Sequence, residues 1–339
     1  MQRKQSARTP AATGAARKPF AVGDYVRRAD APDTLGIVRL VTDPHPADGT
    51  SHLIIWTDGT LSDERADVLR RAPRPLGFIL YEGPSLIDGA PIVAIVNAID
   101  ASANEKTGAL VQSFILRADV DPMEALRTGA DASVCGQCPH RPALIASAVA
   151  SAVAGGASPR AARAASAARC YVNVGRAPLG VWQAYRRGRY VRAAVAFIAT
   201  AVAGRRVRLG SYGDPAAVPA AVWRAYVADA VGHTGYSHQW RDIDAAEWAP
   251  LVMASVDSIE EQREAAARGF RTFRVSLDAA DLIPGAESMC PASREAGNRA
   301  QCADCLLCGG TAKRARSIRI LDHAAGWQRR VINIRAVGA

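Results

Sequence analysis

Seven cysteines carry the most specific chemistry in this sequence, and they fall into two groups. Cys290, Cys302, Cys305 and Cys308 are spaced C-x11-C-x2-C-x2-C. Cys135, Cys138 and Cys170 are spaced C-x2-C-x31-C, within Val134-Cys-Gly-Gln-Cys-Pro-His-Arg141 and Arg169-Cys-Tyr-Val-Asn173. A C-x2-C turn sets two sulfurs within one coordination sphere of Zn2+ or a [4Fe–4S] cluster. For the quartet, a C-x2-C-x2-C run is commoner around iron–sulfur clusters, whereas zinc sites usually pair two separate C-x2-C units. The trio has more than one reading. With His140 it can form a closed Cys3His zinc site, or three thiolates can hold a four-iron cluster and leave one iron open. It can also be one C-x2-C pair with Cys170 as a buried thiol. Three plus four accounts for every cysteine in the chain.

The elements that must position these residues are short. Residues 20–72 read as a small β-module: Phe20–Val26, Leu35–Val41 and His52–Trp56 are β-branched or aromatic runs punctuated by Gly, Pro and Asp, with Asp58-Gly59 as a turn. The pattern resembles SH3-like barrels of the KOW or Tudor type, which hold nucleic acid or protein tails. Residues 72–76 read as a linker, and Pro91–Val96 with Leu110–Leu116 as a hairpin around Asn104–Gly108. The Ala-rich stretch 143–169 reads as an insertion, partly helical at best, that separates Cys138 from Cys170. From residue 178 helix and strand alternate, with strands at 206–212, 233–238, 251–256, 270–275 and 317–321. Repeated βα units imply a parallel sheet. With Val111–Leu116 the count is six, so the expected fold is α/β, a partial (β/α)6 TIM-like barrel over residues 77–339.

In such barrels the βα loops at the C-terminal strand ends carry the chemistry. Polar residues stand there: Asp214, His238 and Gln239, Asp257, then Asp322 and His323. The cysteine quartet, following the fifth strand, is expected on the same side. Each acid could instead be a helix N-cap, as Asp214 and Asp257 could, yet four strand ends in register favour a site.

Composition sets the outer bounds. The 339 residues are 49% hydrophobic and 22% charged, ordinary values for a globular chain. No run has the roughly 18 uncharged apolar residues of a membrane span, so an integral membrane protein is not expected. The net charge is +10, and residues 1–19 hold five basic residues and no acid, reading as a disordered basic tail rather than a signal peptide. Paired cysteines in odd number then suggest a reducing cytoplasm.

Three features together resemble the radical S-adenosylmethionine (SAM) superfamily: the six-stranded partial barrel, a cysteine trio after the first strand, and Gly213-Asp214-Pro215 ending the second, where the superfamily carries a Gly-Gly-Glu-Pro-like motif. The resemblance covers about residues 90–325. It implies that Cys135, Cys138 and Cys170 hold a [4Fe–4S] cluster whose open iron chelates SAM, and that Asp214 contacts the amino group of SAM. It further implies that Tyr212, Gly213 and Gln239 help bind the cofactor, that His238 and Asp257 serve catalysis, and that an electron donor is a partner. Cys290, Cys302, Cys305 and Cys308 resemble the ligands of an auxiliary cluster, with zinc as the alternative there. The departure is in the trio, since the superfamily's usual loop is C-x3-C-x2-C. Cys290-Pro-Ala-Ser-Arg-Glu-Ala-Gly297 ahead of the C-x2-C-x2-C run also resembles phage- or prophage-encoded proteins.

Two rival classes remain. A zinc-stabilised, non-enzymatic nucleic-acid-binding protein would use the basic tail, the β-module and arginines such as Arg186, Arg187 and Arg189 to contact phosphates. A metal-dependent hydrolase would use Asp214, His238 and Asp257 as ligands, but leaves seven cysteines without a role.

Overall fold

The computed structural model describes residues 18–42, 50–97, 104–165, 170–276 and 280–321. Most of the basic tail, the end of the Ala-rich stretch, Asp322 and His323 lie outside the described residues. The fold is mixed α/β, with two open sheets. The described residues divide into two compact units: those up to Trp56 together with Thr60–Pro73, and Thr57–Gly59 together with those from Arg74 on.

The first unit is an antiparallel sheet of β1 (Tyr25–Arg28), β2 (Gly36–Val41), β3 (Ser51–Trp56), β4 (Leu61–Arg65) and β5 (Leu69–Arg71), in the order β4-β3-β2-β1-β5. Val26, Val38, Ile54, Trp56 and Leu69 form its core. Ile37 and Ile55, paired on the other face of β2 and β3, are buried as well, so these two strands are covered on both faces there.

The second unit is built on ten strands. β6 (Gly77–Pro84), β7 (Pro91–Asn97) and β8 (Val111–Arg117) form an antiparallel meander, and the short β9 (Val191–Arg192) lies parallel to β6. β10 (Arg206–Tyr212), β11 (Gly232–Ser237), β12 (Met253–Val256) and β13 (Thr272–Ser276) follow, then β14 (Glu287–Met289) and β15 (Ser317–Leu321). The order is β14-β15-β13-β12-β11-β10-β8-β7-β6-β9. The six strands expected from the sequence therefore lie side by side in chain order, all parallel. β6 and β14 were not expected. The first is hidden between a Pro-rich stretch and a Gly-Pro end, and the second is only three residues long.

The buried strands read as continuous apolar runs, as in β7 and β12, because helices or loops cover both faces. Helices connect the parallel strands: Ala220–Val227, Ala245–Trp248 and Ile259–Ala267. The stretch read as a partly helical insertion is more regular than expected, with helices Pro142–Ala154 and Pro159–Ala165. Among the described residues no helix is long and apolar enough to cross a membrane.

β13, β14 and β15 are locked by charge as well as by ladder bonds. Arg274 on β13 donates to Glu287 on β14 at 2.7 and 2.8 Å, and both side chains are buried. Asp281 completes the cluster, paired with Arg274 at 2.9 Å and with Arg319 on β15 at 2.7 Å.

Candidate metal-binding cavity

A cavity of about 270 Å³ opens along one face of the parallel sheet, and all seven cysteines line it. None is in a disulfide. Arg208 and Tyr212 of β10, Tyr236 of β11, Phe273 of β13 and Ile318 of β15 supply part of its walls. The two cysteine groups enter this one cavity from different directions.

The trio sits at the C-terminal ends of β8 and β10. The helix Pro122–Thr128, capped by Asp121, ends at Gly129, and the turn Ala132–Cys135 follows. Arg141 fixes what comes next. Its guanidinium meets Asp131 in a buried bidentate pair, both contacts 2.9 Å, and donates to the carbonyls of Gly136 and Gly129 at 2.8 Å. The Cys138 N–H donates to the Cys135 carbonyl, closing the C-x2-C turn. Cys170 N–H donates to His140 O at 3.2 Å, which brings the third cysteine back across the intervening helices. The Asp214 N–H donates to Val134 O at 2.6 Å, so the Gly213-Asp214-Pro215 corner is pinned directly to the trio. Gly213 has φ +84°, and a Cβ there would lie 2.6 Å from Ile115 Cβ, a close approach only glycine permits.

Burial governs the electrostatics. It pushes the Cys135 thiol far up, and the neighbouring Cys138 and Cys170 thiolates add to the rise. Cys138 is pushed up to about 12, again by burial first. Burial also raises the Asp214 carboxyl, against hydrogen bonds from Ala216 and His238 that favour its charged form. The raised thiols keep their protons near neutrality, so a metal or cluster there displaces protons on binding.

The other strand-end residues separate in role. His238 lines the cavity, and burial, then the adjacent His140, lowers its imidazole to about 4. Asp257 is not a helix cap, because Ser258 caps the helix Ile259–Ala267. Its carboxylate lies 3.1 Å from His140 Nε2. Burial works to raise it, but the His140 hydrogen bond and charge hold it below the usual carboxylate range. Gln239 does not line the cavity. It accepts from Gln137 N and donates to Cys135 O, both at 3.2 Å, and so braces the trio turn from behind. Asp214 caps Pro215–Ala217, the cap expected of it, and accepts from the His238 N–H, which ties the end of β10 to β11.

The quartet corrects an expectation. It does not stay at the C-terminal strand ends. After β14 the chain turns back, and Cys308 O accepts from Gly235 N at 3.1 Å, midway along β11. There β12 has not yet begun to pair, since the β11–β12 ladder starts at Tyr236, and the cysteine loop occupies that edge. Arg271, just before β13, holds the loop by donating to Leu307 O and Gly310 O. Cys302 N and Ala303 N donate to the carbonyls of Lys106 and Thr107. Leu306 takes φ +50°, the left-handed residue that turns the chain between Cys305 and Cys308. Burial raises Cys308 to about 12, opposed by a hydrogen bond from Tyr236, and raises Cys290 and Cys302 against the charge of Lys106. Lys106 and Arg208 line the cavity beside these thiols.

Asp131, Arg141, Lys106 and Arg208 carry site roles that sequence spacing did not single out. Arg141, Arg208 and Lys106 stand in stretches read for other reasons, and nothing local marks Asp131 as the partner of Arg141. Among the described residues, the metal-ligating atoms that gather within 4.8 Å of one another as a set of three are those of His140, His238 and Asp257, and no three cysteine sulfurs do so. No family model, no curated protein and no solved structure matches this chain.

Proposed function

We propose that this chain is a radical SAM-like iron–sulfur enzyme of phage or prophage type, with a partial (β/α)6 barrel for its second unit and an SH3-like module for its first. One observation carries the reading: Cys135, Cys138 and Cys170 border the same cavity as the Gly213-Asp214 corner, joined to it through the Asp214–Val134 hydrogen bond.

The residues present fit such a group. Three thiols bordering one cavity are the donor set of a cluster with an open position. Four thiolates on one Zn2+, at about 2.3 Å each, stand roughly 3.8 Å apart, a closeness that no three of these sulfurs reach. When bound, the cluster and SAM supply reductive cleavage of the sulfonium and hydrogen abstraction from the substrate. The protein's own work is different. Cys135, Cys138 and Cys170 hold the cluster after giving up their protons, and the Arg141–Asp131 pair keeps their loop rigid. The buried Asp214 carboxylate meets the ammonium of the cofactor, whose charge favours the ionised form. Tyr212 and Tyr236 wall the cavity against water. Cys290, Cys302, Cys305 and Cys308, which line the same cavity and fall short of that zinc spacing too, hold a second centre as an auxiliary cluster. Arg208 and Lys106, both lining it, favour an anionic substrate such as a nucleotide or nucleic acid. The setting is a reducing cytoplasm with an electron-donor partner.

Anaerobic purification followed by iron, sulfide and zinc analysis tests this. Iron and sulfide with SAM cleavage under dithionite support it, and Cys135→Ala/Cys138→Ala/Cys170→Ala abolishes cleavage while the second centre keeps its metal. A colourless protein with stoichiometric zinc, or cleavage that persists in the triple variant, overturns it.

A further inference from the structure

Beside the trio, two imidazoles and a carboxylate converge from three separate segments. His140 follows the C-x2-C turn, His238 ends β11 and Asp257 ends β12. Their ligand atoms all lie within 4.8 Å of one another. The rings of His140 and His238 meet edge to face, with centroids 5.5 Å apart. His140 Nε2 lies 3.1 Å from Asp257 Oδ1.

That distance suits a hydrogen bond, and it equally suits two ligands of one metal ion. Donor atoms each about 2.1 Å from a common centre, at angles of roughly 90–110°, stand about 3.0–3.4 Å apart. A hydrogen bond alone explains only two of the three residues. His238 Nε2 is buried and makes no hydrogen bond, although buried ring nitrogens are ordinarily paired. Asp257 is likewise not spent on the helix that follows it, since Ser258 caps that helix and Glu261 accepts the Asp257 N–H. A cation at the centre gives all three atoms a partner at once.

We propose that His140, His238 and Asp257 form a binding site for one divalent first-row transition ion, separate from the cysteine-ligated centres. Two imidazoles select an ion of the Fe2+, Co2+, Ni2+ or Zn2+ class over Mg2+ or Ca2+, which prefer all-oxygen shells. His140 and His238 line the cavity, so coordination positions left open by three protein ligands face its interior. There the ion acts as a Lewis acid on oxygen or nitrogen groups of whatever occupies the cavity. Of the ligand set read from sequence for a hydrolase, Asp214 is replaced by His140, because the ligand atoms that gather within 4.8 Å of one another are those of His140, His238 and Asp257. The inference does not require the trio to hold iron.

Cobalt is the probe. The full-length protein, freed of loosely bound metal with a chelator under anaerobic conditions, is dialysed against Co2+ and the bound metal counted alongside its visible spectrum. The wild type is expected to bind one more Co2+ per chain than His238→Gln or Asp257→Asn, with affinity in those variants lowered more than about tenfold. The difference spectrum is expected to show ligand-field bands without thiolate-to-cobalt charge transfer. Cys135→Ser/Cys138→Ser/Cys170→Ser is expected to keep this equivalent, whatever becomes of SAM cleavage, so the site and the iron–sulfur reading fail separately. His140→Gln, checked for native circular dichroism, guards against a folding artefact. Equal Co2+ in the wild type and in His238→Gln and Asp257→Asn overturns the site, as does loss of that equivalent in the cysteine variant or thiolate charge transfer in the difference spectrum.

Discussion

Arg141 and Asp131, ten residues apart in sequence, meet in a bidentate ion pair with both contacts at 2.9 Å and the Asp131 side chain fully buried. The same guanidinium satisfies two carbonyls of the loop that carries Cys135 and Cys138. The pair thus fixes a backbone whose side chains must present thiols at set positions, the kind of preorganisation a metal site needs.

Removing the acid leaves the cation buried without compensation. Asp131→Ala is therefore expected to cost about 3–5 kcal/mol of unfolding free energy. The denaturant midpoint should fall, and, on the proposed function, metal at the trio should be lost before metal at the quartet. Urea unfolding followed by metal analysis of the variant checks both. A variant as stable as wild type would show that the loop does not depend on the pair.

The corner glycine offers an internally controlled test. Gly213 and Gly269 both have positive φ, +84° and +94°, so alanine at either position carries a conformational cost of about 1–2 kcal/mol. Only at Gly213 does the added Cβ meet backbone, the Ile115 carbonyl oxygen 2.7 Å away, whereas at Gly269 nothing lies within 4 Å. Gly213→Ala is expected to destabilise clearly more than Gly269→Ala, and the difference between their midpoints measures the steric part. Equal effects would mean that the corner can move away from Ile115.

Much of this fold was legible because it is written locally. Val207 and Leu209 alternate inward on β10, and Met253–Val256 is an unbroken apolar run, so each strand announces itself. The Gly-Asp-Pro corner and the two cysteine groups are also contiguous signals. What stayed hidden depends on contacts between distant segments. The return of Cys308 to Gly235 is a single hydrogen bond between residues more than seventy positions apart, and no spacing rule encodes it. Strand-end position suggested that His238 and Gln239 share a role. Burial separates them, since Gln239 turns to the trio backbone while His238 faces the cavity. His140, read as a ligand alongside cysteines, finds Asp257 and His238 instead.

Charges inside strands are equally hard to place from sequence. Arg274 on β13 and Arg319 on β15 are almost wholly buried. Glu287, on the unexpected strand β14, is what makes Arg274 tolerable there. Glu287→Ala is expected to cost about 1–3 kcal/mol, because the buried guanidinium loses one of its two carboxylate partners and keeps Asp281. The double variant Glu287→Leu/Arg274→Met is expected to recover most of that loss, since replacing a buried pair with apolar side chains of similar volume is often neutral. Denaturation of the single and double variants distinguishes a structural pair from a functional one. If the double variant is no better than the single, the cluster does more than neutralise charge.

Asp281 makes the stability of this corner depend on pH. Burial alone would raise its carboxyl, but hydrogen bonds from Arg274 and Ser276 and the charges of Arg274 and Arg319 outweigh it, leaving it below the usual carboxylate range. The folded chain therefore holds this proton less tightly than the unfolded chain, where an aspartate titrates near about 3.9. Its contribution is present in full above that value and is lost as pH falls through the lower folded one. Asp281→Asn cannot make the charged contacts at any pH. It is expected to be less stable than wild type near neutrality, with the gap closing as the wild-type carboxylate protonates below about pH 4. Urea midpoints for the two proteins, taken from about pH 7 down to about pH 3, measure that gap. A gap that stays constant over the range would show that the Asp281 carboxylate contributes through shape and neutral hydrogen bonding, and not through its charge beside Arg274 and Arg319.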